Sequence, residues 1–174
     1  MKVFSTNIEG QRQFVRFAKE GHLLGHRGLN ADDVYPINVV ALQDSVVCFI
    51  ENTQVDYLFK NNRNFAYGLM MFYSSEFRKL ESRIKYIPRM NVREKVAEAL
   101  LMIYDNFGLN NQNELNIILS RKTIANIAGT NAETVSRLFS DFETNGFIVK
   151  NGRKITILQL DGLQNIINGN PTIE

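Results

Sequence analysis

Between Arg121 and Ser140 the chain reads RKTIANIAGTNAETVSRLFS, and few backbones accommodate that spacing. Two short helices that cross closely need a small residue midway along the first and a turn residue that tolerates positive φ. They also need apolar side chains that lock one helix on the other. Ala125 is the small residue, Gly129 stands four positions later, and Ile124, Val135 and Leu138 supply the lock. All fall at one register, which predicts a helix-turn-helix.

The second of these helices has two faces. Val135, Leu138, Phe139 and Phe142 follow the i, i+3, i+4, i+7 pattern of a buried stripe. Glu133, Ser136, Arg137 and Ser140 repeat that spacing two residues earlier. Two residues turn an α-helix by about 200°, so this quartet points away from the core, as a helix lying in a major groove requires. Arg137 can pair bidentately with guanine, Glu133 can accept from a cytosine amino group, and Ser136 suits contact beside a thymine methyl. Each good pair discriminates by roughly 1–3 kcal/mol. Thr130, Asn131 and Thr134 lie at the helix start, where backbone N–H groups and small polar side chains suit a phosphate. Arg121 and Lys122 open the first helix and can reach the backbone as well. Two plainer readings stay open. Thr130-Asn131-Ala132-Glu133 is also a T-x-x-E capping box, and Arg137 can be a solvated surface residue.

Gly146 to Ile157 holds two β-rich runs around Asn151-Gly152, a favoured type I′ pair. A hairpin here is a wing, with Lys150, Arg153 and Lys154 at its tip and Arg153 a candidate phosphate contact. Asp161–Ile167 reads as a short closing helix.

Upstream, Lys2–Thr6 and Gln13–Ala18 read as paired strands about a turn at Asn7–Gly10. An irregular stretch punctuated by Gly21 and Gly25 runs to Pro36, followed by strands at Asn38–Leu42 and Val46–Ile50 joined at Gln43-Asp44. From Asn62 to Ile87 a heptad pattern places Met70, Phe77 and Ile84 in one position and Ala66, Tyr73, Leu80 and Ile87 in the other. Both a dimer seam and a helix packed on its own domain fit that pattern. Pro88 predicts a break, and a helix follows over Asn91–Asn106 with Val92, Val96, Leu100 and Ile103 as its stripe. The expected division is 1–60, 61–87 and 88–174.

Charge adds little: 20 Lys and Arg against 18 Asp and Glu give a net +2, so an affinity for DNA must come from arrangement. Cys48, the single cysteine, sits in an apolar run and is expected to be buried. It allows no internal disulfide, and a cytoplasmic location is expected. No apolar run is long enough for a membrane span, and no P-loop, nucleophile elbow, metal cluster or paired-carboxylate site marks an enzyme or a cofactor. His22 and His26 are poor haem ligands, since Gly25 argues against the helix their spacing would need.

Leu119–Leu158, and above all GTNAETVSRL, resembles the winged helix-turn-helix of the Crp/Fnr family of bacterial transcription regulators. Lys19–Arg27 looks like the strand and glycine turn of that family's β-roll, Val40–Ile50 like its last strands, and Asn62–Ile87 like its long dimerisation helix. The resemblance implies an α+β fold: a partial antiparallel β-roll of double-stranded β-helix type, a dimerisation helix, and a C-terminal winged helix-turn-helix. It implies a homodimer, with Met70, Tyr73, Phe77, Leu80 and Ile84 at the seam, on palindromic double-stranded DNA. RNA polymerase is a further partner if the chain activates. The family's groove-reading positions correspond to Ala132, Glu133, Ser136 and Arg137. Crp-type members carry arginine and glycine where Ala132 and Ser136 stand, so the set resembles the Fnr-type reader and implies a half-site like TTGAC or TTGAT. Two departures follow. The β-roll has fewer strands before Lys2 than the family usually has, so a fragment or a short member with an exposed sheet edge is expected. His26, Tyr35 and Pro36 stand where cyclic-nucleotide binders carry glutamate, arginine and serine, so no ordinary cAMP binding is expected and the effector is a different small molecule. The rival reading is a ligand-sensing signalling module with secondary DNA binding.

Overall fold

The computed structural model describes residues 1–8, 10, 12–28, 35–86 and 89–168. Chain order is β1 (Lys2–Thr6), β2 (Arg12–Phe17), β3 (Asn38–Val40), α1 (Asn52–Asn61), α2 (Arg63–Tyr86), α3 (Val92–Phe107), α4 (Arg121–Ala128), α5 (Ala132–Thr144), β4 (Ile148–Asn151), β5 (Lys154–Ile157) and α6 (Leu160–Asn168). The first three strands form one antiparallel sheet, ordered β2-β1-β3, and β4 and β5 form the hairpin.

Several expectations are corrected. Val46–Ile50 is not a strand, and Cys48 is exposed. The run has strand-forming residues, but among the described residues no strand lies beside it to complete a ladder, so its apolar side chains face outward. β3 ends at Val40 rather than Leu42. Helix α1 is additional: it buries none of its residues, although Val55, Leu58 and Phe59 follow a helical i, i+3, i+4 spacing. Asn62 is where the chain breaks between α1 and α2. Its backbone is extended, and its Oδ1 accepts from the Phe65 N–H at 3.0 Å, capping α2. Ile87, the Pro88 break and 29–34 of the irregular stretch lie outside the described residues.

Helix α3 starts where a reciprocal cap forces it to. The Glu94 N–H donates to Asn91 Oδ1 at 3.0 Å, and the Asn91 N–H donates to Glu94 Oε2 at 2.9 Å. Val96, Leu100 and Ile103 are buried as the stripe requires, whereas Val92, in the first turn, is exposed. The C-terminal core gathers these residues with Ile124, Ala125, Val135, Phe139, Phe142, Ile148 and Leu163. A smaller cluster in the N-terminal part joins Val3 of β1 with Ala18, just after β2, and Ile37, just before β3.

Helix α2 separates two faces. Leu69 is buried, and Phe65, Phe72 and Glu76 are half-buried, spaced as one face turned toward its own domain. The heptad residues lie elsewhere: Met70, Phe77 and Ile84 are 57%, 63% and 74% exposed. Tyr73 sits at the border, with its hydroxyl donating to the His26 carbonyl at 2.6 Å. His26 is buried, with its ring edge-on to Phe72 and Tyr73, so it packs against the helix rather than pairing with His22 as a ligand.

Candidate nucleic-acid interface

Helix α4 begins at Ser120, whose side chain accepts from the Thr123 N–H, and ends at Gly129 with φ 65° and ψ 41°. That left-handed turn is the conformation for which the glycine was needed. The Thr130 N–H then donates back to the Ala125 carbonyl at 2.9 Å. Helix α5 follows at once, anchored by Val135, Phe139 and Phe142, none of which is exposed at all.

The cap of α5 differs from the T-x-x-E expectation. Asn131 is the N-cap, with its Oδ1 accepting from the Thr134 N–H at 2.8 Å. An Asx side chain at this position reaches the third helical N–H without help from Glu133. Glu133 is therefore not held at the helix end. It and Arg137 are exposed and make no hydrogen bond or ion pair among the described residues. Ser136 is exposed too, but its hydroxyl donates to the Ala132 carbonyl at 2.9 Å, so its oxygen faces outward as an acceptor.

The wing departs from expectation in two ways. Asn151 pairs with Lys154, so the loop residues are Gly152 and Arg153 rather than Asn151 and Gly152. Gly152 has φ 61° and Arg153 has a negative φ, the pattern of a type II′ turn. This puts Arg153 at the apex, exposed and without an ion pair among the described residues. The two lysines beside it are tied down. Lys150 Nζ lies 3.0 Å from Glu143 Oε2 and donates to Ser140 Oγ at 2.9 Å. Lys154 Nζ lies 2.9 Å from Glu114 Oε2. The Lys150 backbone N–H and ammonium hold the Glu143 carboxyl below its ordinary pKa, and donation from Lys154 and Asn110 does the same for Glu114. The segment carrying Glu114 adds to the wing sheet, through Leu115 N–H to Ile155 O at 2.8 Å and Ile157 N–H to Asn113 O at 3.0 Å.

Arg121 is drawn inward rather than left as a free arm. Its guanidinium stacks 4.6 Å from the Phe139 ring centroid and donates to the Gly152 carbonyl at 3.2 Å. Burial lowers its pKa, though a guanidinium stays charged. It thus braces the wing apex against the core face of α5. Lys122, one residue on, is exposed. The brace and both ion pairs are not expected from the sequence; acidic residues at 114 and 143 are the available signal, but nothing local ties them to the wing.

The glycine turn in the N-terminal part is filled. The Tyr35 ring lies so close that a Cβ on Gly25 or Gly28 would come within 2.9 or 2.7 Å of it.

Residues 1–62 match the cyclic nucleotide-binding domain family, and residues 94–166 match the Crp-like helix-turn-helix domain family. The chain is 28% identical over 171 residues to the transcriptional activator protein FnrA of Stutzerimonas stutzeri, covering 97% of this chain and 70% of that protein. It is 29% identical over 161 residues to the transcriptional activator protein anr of Pseudomonas aeruginosa, covering 91% of this chain and 65% of that one. The chain thus spans about two thirds of the length of these relatives. A crystal structure of a CRP-family transcriptional regulator from Thermus thermophilus has the same fold, with a TM-score of 0.79 at 18% identity over 96% of this chain and 83% of that one. The mixed α/β architecture with its winged helix-turn-helix, both domain matches and the FnrA and anr relatives agree: the chain belongs to the Crp/Fnr family of transcription regulators.

Proposed function

We propose that two copies of this chain pair through α2 and read a palindromic DNA duplex, one half-site per α5. The observation that carries this reading is the division of α5: Val135, Phe139 and Phe142 are fully buried, while Glu133 and Arg137 stand outward and unengaged. Glu133, Ser136 and Arg137 are the base readers, and the half-site is TTGAC- or TTGAT-like. Lys122 and Arg153 meet phosphates, with Thr130, Asn131 and Thr134 around the α5 N-terminus. Arg121 serves the same interface by holding the wing. Pairing through Met70, Tyr73, Phe77, Leu80 and Ile84 would remove an exposed apolar stripe from water.

The division of labour is a sensing part over 1–60, the dimerisation helix over 61–87 and the DNA-binding part over 88–174. Ordinary cAMP is not the effector, because Tyr35 covers the turn and Pro36 brings no hydroxyl. Among the described residues no helix is long and apolar enough to cross a membrane, and the work proposed is cytoplasmic. RNA polymerase is the added partner where the chain activates.

The test is fluorescence anisotropy on palindromes of TTGAC-type and TGTGA-type half-sites at low salt. The first type is expected to bind more tightly. Arg137→Ala, with unchanged circular dichroism, is expected to lose roughly 1–3 kcal/mol per half-site and most of that preference. Binding that ignores the substitution would overturn the reading.

A further inference from the structure

The β-bulge in β2 gives that strand a role in the C-terminal half of the molecule. β1 pairs Val3 with Arg16 and Phe4 with Phe14, so Val15 is an extra residue opposite the pair. In an unbulged strand, residues three apart point to opposite faces; the extra residue brings Phe14 and Phe17 to the same one. Their ring centroids are 4.9 Å apart. Phe17 meets Phe107, the last residue of α3, at a further 4.9 Å and 80°, edge to face. Phe17 is buried, and it belongs to the apolar cluster of Val96, Leu100, Ile124 and Phe139 rather than to that of its own sheet. Its neighbours Val15 and Ala18 face the small N-terminal cluster. One strand therefore has a face in each core, and it also touches α4.

We infer that Phe17 is a positioning residue for DNA recognition, clamping the helix-turn-helix onto the N-terminal sheet and so setting which spacing between half-sites the dimer accepts. This rests on the dimeric DNA-reading function proposed above. Only five residues, 87–91, connect α2 to α3. A single covalent link leaves the helix-turn-helix free to swivel on the dimerisation helix. The second attachment, through Phe14, Phe17 and Phe107, removes that freedom. Since α2 lies at the dyad, the angle so fixed determines the separation of the two α5 helices, and a palindrome must match it.

The full chain is titrated against palindromes whose spacers differ by single base pairs. The wild type is expected to show one optimum, with about tenfold weaker binding one or two base pairs away, because a mismatched spacing must be met by deforming the duplex. Phe17→Ala is expected to flatten this to within about threefold, leave binding to a lone half-site unchanged, and be rescued in part by Phe17→Leu. A merely structural role would lower all affinities together. If Phe17→Ala fails to fold, Phe14→Ala, at the edge of the cluster, is expected to act in the same direction. A second readout needs no DNA: the distance distribution between probes on Cys48 and on Thr144→Cys, which Phe17→Ala should broaden. Folded variants that keep the sharp optimum and the narrow distribution overturn the clamp. A wild type that binds no duplex, with a distribution that does broaden in the variant, overturns the DNA reading and leaves the clamp standing.

Discussion

Glu143→Gln is expected to steepen the salt dependence of DNA binding, although Glu143 itself would weaken a phosphate contact if it came near one. The wing carries three cations, yet Lys150 and Lys154 are each 3.0 Å or less from a carboxylate oxygen. A cation already neutralised releases no counterion from DNA. In the proposed dimer the phosphate-directed cations are then the exposed Lys122 and Arg153, two per chain and four in all. At about 0.9 per neutralised phosphate, log K should fall with log salt at a slope of about −3.6. Glu143→Gln removes the charge that holds Lys150, adds two cations per dimer, and should bring the slope to about −5.4. The amide oxygen of the introduced glutamine can still accept the Lys150 N–H, so the hairpin is expected to keep its register. The assay is anisotropy on one fixed palindrome between about 50 and 300 mM salt. A wild-type slope of about −7, the value for eight cations, would refute the reasoning, because both lysines would then be leaving their carboxylates for DNA.

Asn131→Ala is expected to destabilise the fold by about 1 kcal/mol in urea titration, whereas Glu133→Ala should leave stability within about 0.5 kcal/mol, since Asn131 alone caps α5. Phe77→Asp, at a 63% exposed position of the proposed seam, should yield a folded monomer by sedimentation while leaving the melting temperature of the DNA-binding part unchanged. The Glu114 carboxyl should titrate below 4.5 by NMR, because its pKa is depressed on folding. The stabilisation it lends the wing is therefore present above the unfolded value of 4.5 and lost as the pH falls through the folded one; a midpoint at or above 4.5 would contradict the Lys154 and Asn110 bonds.

Short-range periodicity made the central features legible. The spacing of Ala125, Gly129, Val135 and Phe139 sets two helices and their crossing, since each residue acts within a turn or two of its partner. The outward quartet and the α2 stripe follow from the same rotation per residue. A strand is harder to read, because apolar residues such as Val46, Val47 and Phe49 make a strand only where a neighbouring backbone completes the ladder. The exposure of Cys48 has that cause. Helix α1 buries none of its residues, and its stripe of Val55, Leu58 and Phe59 spans little more than one turn, too short to mark a helix by itself.

Local spacing alone therefore defines helix α5 and its two faces. Which charges remain available to DNA was decided by contacts between distant parts of the chain. Lys154 and Glu114 are 40 residues apart, and Arg121 and Gly152 are 31 apart. Both pairs meet only after the wing folds back on the core. The same holds for Phe17 and Phe107, which a single extra residue in β2 brings face to edge. The strength of an ion pair or a ring contact depends on a separation of a few ångströms in space, and separation along the chain does not specify it.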